Sequence, residues 1–108
     1  MIKRPQSGKH ILLADDDQAL TEVTQEMLVF FGHRVTVAQN GHEALAHYLS
    51  HQAEFDLVIT DLDMPVMDGH ALVLALWAEH PDVKIIIITG ILKKLKNLTA
   101  SFTRLITG

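Results

Sequence analysis

The chain has 108 residues, of which 48% are hydrophobic and 6% aromatic, enough apolar material for one domain with a single core. It contains no cysteine, which excludes a disulfide framework and thiolate metal sites. The same absence is compatible with the reducing cytoplasm, where we expect the protein to be located. No run approaches the ~18–20 uninterrupted apolar residues of a membrane span, so we expect no membrane contact.

Charge is distributed unevenly along the chain. Residues 1–90 hold thirteen acidic residues against five basic ones, a net charge of −8, whereas residues 91–108 hold four basic residues and no acid. An acidic body is poorly suited to a polyanion, and the small basic segment is better explained as a solvated helix face. We therefore expect no direct nucleic-acid binding.

Apolar runs and helical periodicity alternate along the chain, which predicts strands alternating with helices. Parallel strands need crossover helices, and continuous apolar strands are typical of sheets covered on both faces, so the pattern indicates an α/β fold with a parallel sheet. Ile85–Ile88 are predicted to be buried on both faces, and Trp77 is predicted to point inward. The predicted elements are a strand at 10–14, a helix at 20–31 closed by Gly32, a strand at 34–38, a helix at 44–49, a strand at 55–60, a helix at 70–80 and a strand at 83–89.

The acidic residues follow the predicted strands at the points where the strands end. Asp15, Asp16 and Asp17 follow the first strand, and Asp61 follows the third. Ligands of open parallel sheets lie beyond the carboxyl ends of adjacent strands, which are about 5 Å apart. Clustered carboxylates repel one another unless a cation compensates, and Mg²⁺ is suited to one or two carboxylates plus water. A carboxylate beside such an ion can attack phosphorus and form an acyl phosphate.

A simpler interpretation assigns these acids to helix caps. Asp17 and Asp68 stand where the side chain would accept from the first free N–H groups of a helix. Capping explains any single acid but explains poorly an Asp61 that directly follows an apolar strand. A further pair, His47 and His51, has the four-residue spacing of metal ligands, but surface histidines are the better explanation because no third ligand is evident.

Three segments together resemble the receiver domain of two-component response regulators: HILLADDDQAL, FDLVITDLDMPVMDG and KIIIITG. The match runs from about residue 10 to residue 90. The resemblance implies a flavodoxin-like three-layer sandwich with strand order 2-1-3-4-5. It also implies an N-terminal tail at 1–9 and a receiver domain at 10–108, with 91–108 divergent or truncated.

The resemblance also assigns roles to individual positions. Asp61 matches the aspartate that accepts a phosphoryl group from a kinase phosphohistidine. Asp15 and Asp16 match the acidic pair that holds Mg²⁺, with Asp16 the more direct ligand, and Asp63 matches the residue whose backbone carbonyl completes the metal site. Thr89 matches the switch hydroxyl that turns toward the phosphoryl group, which fits a two-state loop.

The end of the chain departs from the family pattern. The family has a fifth strand that ends in Lys-Pro about twenty residues after the threonine, whereas 19 residues follow Thr89 here and no Lys-Pro occurs. Lys93, Lys94 and Lys96 are too close to Thr89 to take that role. Three accounts remain: a receiver that lacks its last strand and helix, a shortened unit with a strand at 102–106, or a second copy that covers the exposed sheet edge. We favour the first, with self-association as its consequence.

The leading hypothesis is a Mg²⁺-dependent signalling receiver that is not an enzyme and whose partner is a sensor histidine kinase or phosphotransfer protein. The alternative is a pseudo-receiver that acts only as a protein-interaction module. A third hypothesis is a haloacid-dehalogenase-type phosphatase that uses Asp61 and Asp63, since an apolar run followed by D-x-D resembles that family. Against it, Pro65 stands where that family has threonine.

Overall fold

The computed structural model describes residues 8–51 and 54–88. Several predictions therefore lie outside the described residues: the tail up to residue 7, the switch position Thr89, and the possible helix and strand after residue 90. The described part contains four strands and three helices, at β1 (His10–Ala14), α1 (Gln18–Phe30), β2 (Arg34–Ala38), α2 (Gly41–His51), β3 (Leu57–Asp61), α3 (Gly69–Glu79) and β4 (Ile85–Ile88).

The four strands form one parallel sheet in the order β2-β1-β3-β4. This order confirms the predicted parallel sheet and agrees with the first four strands of the expected arrangement. Right-handed crossovers place α1 on one face of the sheet and α2 and α3 on the other, because the chain moves in opposite directions along the sheet before and after β2. The three layers are therefore α1, the sheet, and the α2–α3 pair.

The ends of α1 follow from local chemistry. The Asp17 side chain accepts a hydrogen bond from the Leu20 amide at 2.9 Å, so Asp17 is the N-cap. After the helix, Gly32 has a φ of 93°, the left-handed conformation that glycine adopts without a steric penalty. Both helix ends confirm the sequence prediction.

The main core lies between the sheet and the α2–α3 layer. Strand residues Leu12 and Val58 contribute its sheet side, and Leu72 and Leu76 contribute its helix side. The remaining buried members include small residues, Ala14, Ala38 and Ala44, which let the helices lie close to the sheet. Burial of a Leu or Val side chain contributes roughly 1.5–3 kcal/mol, so this aliphatic cluster accounts for a large part of the fold's stability.

Two burial predictions were wrong. Ile86 and Ile87 were expected to be buried, but their side chains are 52% and 42% exposed. Trp77 was expected to point into the core, but about half of it is exposed on α3. Ile86 and Ile87 are exposed because β4 is the outermost strand on its side of the sheet within the described residues. Trp77 is exposed because it lies at the margin of the buried face of α3, which consists of Gly69, Leu72, Val73 and Leu76.

No helix in the described part of the chain combines the length and the apolar character needed to cross a membrane.

A tyrosine joins α2 to the end of α3. Tyr48 is buried, and its hydroxyl lies 3.1 Å from His80 Nδ1. Its ring is stacked with Phe55, with the two centroids 6.2 Å apart. Burial raises the pKa of the Tyr48 phenol, because the phenolate would lose hydration.

We expect the free energy of unfolding to fall as the pH rises above about 10, the ordinary tyrosine pKa. The pKa of Tyr48 is higher in the folded chain than in the unfolded chain, so the unfolded chain loses the phenol proton at lower pH. Deprotonation therefore stabilises the unfolded chain relative to the folded one. Urea unfolding between pH 8 and 10.5 measures this dependence. Tyr48→Phe is the control: it should be less stable at pH 8 by about 1 kcal/mol and show a flatter pH profile. An equally steep profile in Tyr48→Phe would contradict the assignment.

Candidate functional site

Parallel pairing brings two acidic residues to the same edge of the sheet. Asp15 directly follows β1, and Asp61 is the last residue of β3. Because Ala14 pairs with Thr60 in register, the next positions along the two strands are Asp15 and Asp61. The Asp15 amide also donates to the Ala38 carbonyl of β2 at 3.0 Å, which extends the sheet hydrogen bonding up to the acid. The sheet itself therefore positions both carboxyl groups.

Three carboxylates meet at this edge. Asp15, Asp16 and Asp61 each place an oxygen atom within 4.8 Å of the others. Asp61 and Asp15 are only 1% and 3% exposed, whereas Asp16 faces solvent. The cluster thus has two buried carboxylates and one exposed carboxylate. It could hold a hard cation that keeps part of its hydration shell. The structure brings together three of the residues singled out in the sequence.

Backbone amides orient the two buried carboxylates. The Asp17 amide donates to Asp15 Oδ1 at 2.9 Å, and the Asp63 amide donates to Asp61 Oδ1 at 3.2 Å. Hydrogen bonds to a charged acceptor are stronger than those between neutral groups. Each acid is therefore held by the amide two residues further along the chain.

An open cleft lies beside the carboxylates. Its volume is about 470 Å³, and it is lined by Asp16, Asp63, Met64, Pro65 and Asp68. Most of these residues belong to the β3–α3 loop, residues 62–68. The cleft is large enough for a hydrated cation together with a small anionic group, and Asp16 is the member of the carboxylate cluster that lines it.

The start of α3 is packed directly against the end of β3. A side chain at Gly69 would collide with the Asp61 carbonyl oxygen and the Leu62 backbone, so only glycine allows this approach. The Asp68 side chain accepts from the Ala71 amide at 2.9 Å and caps the helix, as the sequence predicted. The loop after Asp61 therefore ends at two fixed points, the close contact of Gly69 with the end of β3 and the Asp68 cap of α3.

A strained turn within the β3–α3 loop was not found from the sequence. Val66 has a φ of 68°, which is unfavourable for a β-branched residue, and the Met67 amide donates to the Pro65 carbonyl at 2.7 Å. The Met67 carbonyl in turn accepts from the Gly41 amide at 2.8 Å. A side chain at Gly41 would overlap Met67, so the loop is fixed against the first residue of α2.

Other candidate residues lie away from the cluster. His47 and His51 make separate surface pairs with Glu43 and Glu54, with nitrogen–oxygen distances of 3.9 and 3.8 Å. Across residues 8–51 and 54–88, the aspartate trio is the only group of three or more acidic or histidine side chains close enough to share a metal ion. The lysines of these ranges, Lys9 and Lys84, precede β1 and β4 and therefore lie at the opposite end of the sheet from Asp61.

Comparison with known proteins agrees with this architecture. The sequence model of the response regulator receiver domain matches residues 11–103. A probable transcriptional regulator, ycf27 of Cyanidium caldarium, is 32% identical over 97 residues, which are 90% of this chain and 38% of that protein. The chain belongs to the response regulator receiver domain family, and it spans well under half the length of this relative.

Two solved structures of a response regulator are similar to this chain in fold and sequence. The response regulator TrrA of Thermotoga maritima, in complex with Mg(2+)-BeF, has a TM-score of 0.71 and 36% identity, covering 75% of this chain and 69% of the other. TrrA has also been solved in complex with the histidine kinase ThkA, where the match has a TM-score of 0.70 and 35% identity and covers 76% and 69% of the two chains. The parallel sheet and its helices are those of a CheY-like, flavodoxin-like receiver.

We expect Val66→Gly to raise the free energy of unfolding by about 1 kcal/mol, because glycine adopts the left-handed conformation of the turn without strain. Urea unfolding measures the change. Val66→Ala is the matched control, since it removes the same exposed methyl groups but keeps a Cβ, and it should gain less. If Val66→Gly were no more stable than Val66→Ala, the strain at position 66 would be no larger than the extra conformational entropy that glycine loses on folding.

Proposed function

We propose that this chain is a signalling receiver that accepts a phosphoryl group on Asp61. An Asp61 carboxylate oxygen attacks the phosphorus of a phosphohistidine, the P–N bond breaks, its electron pair stays on the imidazole nitrogen, and an acyl phosphate forms. The observation that carries the proposal is the buried Asp61 carboxylate at the end of β3, with two further carboxylates within 4.8 Å and a cleft beside them.

We propose Mg²⁺ as the cation of this site, held by the carboxylates of Asp15, Asp16 and Asp61 and by the Asp63 backbone carbonyl. The donor set supports this choice, because clustered carboxylate oxygens with access to water suit Mg²⁺. The similarity to TrrA in complex with Mg(2+)-BeF supports it as well. When bound, the ion would neutralise charge that develops on the phosphoryl oxygens.

Residues of this chain prepare Asp61 for the reaction in two ways. The Asp63 amide fixes the orientation of Oδ1, and residues of the β3–α3 loop line the cleft next to the cluster that contains Asp61. The proposal also includes Thr89 as the switch hydroxyl, on the basis of the sequence motif that ends β4. Ile88, the residue before Thr89, pairs in register with Asp61.

The proposed donor is a sensor histidine kinase or a phosphotransfer protein, and the similarity to TrrA in complex with the kinase ThkA supports this choice. In the same proposal the receiver unit spans residues 10–108 after a tail at 1–9, resides in the cytoplasm and binds no nucleic acid directly. It turns over no substrate and so is not an enzyme in the usual sense. A second copy of the chain is a further proposed partner, through the outer edge of β4.

A pseudo-receiver is the alternative function, and one observation favours it. Both lysines among the described residues lie at the far end of the sheet, so within those residues no lysine reaches the phosphoryl position. A pseudo-receiver would keep the fold and the exposed surfaces but would neither bind a phosphoryl mimic nor accept a phosphoryl group.

Beryllofluoride with Mg²⁺ is expected to bind at Asp61 and to shift the amide resonances of Asp61 and its neighbours in two-dimensional NMR spectra. Asp61→Asn should abolish the shifts, because it removes the carboxylate that coordinates beryllium. Asp16→Asn should weaken Mg²⁺ binding at least about tenfold, because one of the clustered charges is lost.

Two controls make this experiment specific. Asp82→Asn is the same chemical change in the α3–β4 connection and should leave both affinities unchanged. Asp63→Asn should retain Mg²⁺ binding, since its proposed contribution is a backbone carbonyl. Absence of any shift in the wild-type chain at saturating beryllofluoride would refute phosphoryl acceptance and favour the pseudo-receiver.

A further inference from the structure

A second cavity lies at the end of the sheet opposite the carboxylates. Its volume is about 420 Å³, within the roughly 300–1,000 Å³ of small-molecule sites. Its walls come from Lys9 before β1, from α2 and the start of β3, and from the α3–β4 connection. Leu57, one of its lining residues, is four positions before Asp61 on β3, so about 13 Å of strand separates the two residues. This amino-end cavity is therefore distinct from the cleft beside the aspartates.

The aromatic wall of the amino-end cavity is held in place by its neighbours. The centroid of the Phe55 ring lies 4.4 Å from that of His10 and 6.2 Å from that of Tyr48. Asp56 forms two hydrogen bonds with the backbone of His10, both of 2.8 Å, through its amide and its Oδ2 atom. These contacts tie the residues before β3 to β1. A wall fixed in this way exists before a ligand arrives, so binding requires little ordering.

Two cations line the amino-end cavity. Lys9 and Lys84 are both exposed, and neither forms an ion pair within residues 8–51 and 54–88. Two acids, Asp56 and Asp82, also line the cavity, but neither is paired with a lysine, and Asp56 Oδ2 already accepts from the His10 amide. Hydrogen bonds from an ammonium group to a carboxylate are among the stronger ones in proteins. The two lysines therefore favour an anionic ligand.

The pair formed by Tyr48 and His80 adds a neutral donor. The Tyr48 hydroxyl oxygen lies 3.1 Å from His80 Nδ1, and both residues line the cavity. When the hydroxyl donates, a neutral His80 carries its proton on Nε2, and when Nδ1 donates, the Tyr48 hydroxyl keeps its own proton. In either arrangement one donor of the pair is not used by the bond between them.

We propose that the amino-end cavity binds a small aromatic carboxylic acid. The carboxylate accepts hydrogen bonds from Lys9, Lys84 and the remaining donor of the pair formed by Tyr48 and His80. The aromatic body lies against Phe55, because aromatic rings attract one another beyond the burial of their area. A volume of about 420 Å³ limits the ligand to a small molecule. The proposal is independent of phosphoryl acceptance at Asp61, since the two sites share no residue.

A titration of the full chain with phenylacetate, followed by two-dimensional amide NMR at constant ionic strength, tests the proposal. A ligand of about ten non-hydrogen atoms should bind with a dissociation constant of about 1 mM or tighter, so the titration extends to about 20 mM. The amides of Lys9, Asp56 and Lys84 should shift, and that of Asp61 should not. Acetate lacks the ring and benzylamine lacks the carboxylate, so each should bind at least about tenfold more weakly.

Lysine variants test which groups recognise the carboxylate. Lys9→Gln and Lys84→Gln should each weaken phenylacetate binding at least about fivefold, because each removes one charged donor. Arg34→Gln is the matched control: it makes the same change of charge at the start of β2, outside the cavity lining, and should alter the affinity by less than about twofold. All three side chains are exposed, and the amide spectra establish that each variant is folded.

Four outcomes would overturn the proposal. Absence of shifts at Lys9, Asp56 and Lys84 would mean that the cavity is closed to the ligand or is filled by another part of the chain. Shifts confined to Asp61 and its neighbours would place the acid in the other site. Equal affinity for acetate or benzylamine would show that the ring or the carboxylate is not recognised. Unchanged affinity in both lysine variants would show that the lysines do not bind the carboxylate.

Discussion

The candidate site depends on the parallel pairing of β1 and β3, which gathers three carboxylates at one end of the sheet against their mutual repulsion. Two of them, Asp15 and Asp61, are almost fully buried, and water therefore screens their charges poorly. The fold offsets this repulsion with backbone amides at Asp17 and Asp63, each directed at a carboxylate oxygen. A cluster of this kind could hold a cation, whose charge would offset the repulsion that remains.

Consecutive residues take different positions in this cluster. A strand directs successive side chains to opposite sides, and Asp15 and Asp16 follow β1 directly. Asp15 is accordingly buried next to Asp61, whereas Asp16 stays in contact with solvent. A pair of adjacent acids at a strand end thus supplies one buried carboxylate and one exposed carboxylate, which neither acid alone could do.

Much of the fold was predictable, because its signals are local. Apolar runs gave β1 and β2 with their observed bounds, and helix caps were marked by Asp17, Asp68 and Gly32, whose roles depend only on neighbouring backbone. The convergence of Asp15, Asp16 and Asp61 followed from the rule that parallel strands end together.

The features that the sequence did not predict correctly depend on contacts between distant parts of the chain. The apolar character of Ile86, Ile87 and Trp77 predicted burial, but burial depends on which elements lie alongside, and a single sequence does not show that. The turn at Val66 gave no signal, because valine ordinarily avoids a positive φ. Its conformation occurs next to the contact of Met67 with Gly41, a residue far away in the sequence.

The contact of Met67 with Gly41 joins the loop after Asp61 to α2. The Gly41 amide begins α2, and its acceptor, the Met67 carbonyl, belongs to the loop that follows Asp61. A displacement of this loop has to lengthen or break that hydrogen bond and to separate Met67 from the Gly41 backbone against which it is packed. The start of α2 and the loop after Asp61 are therefore joined at one point, so neither can move far without the other.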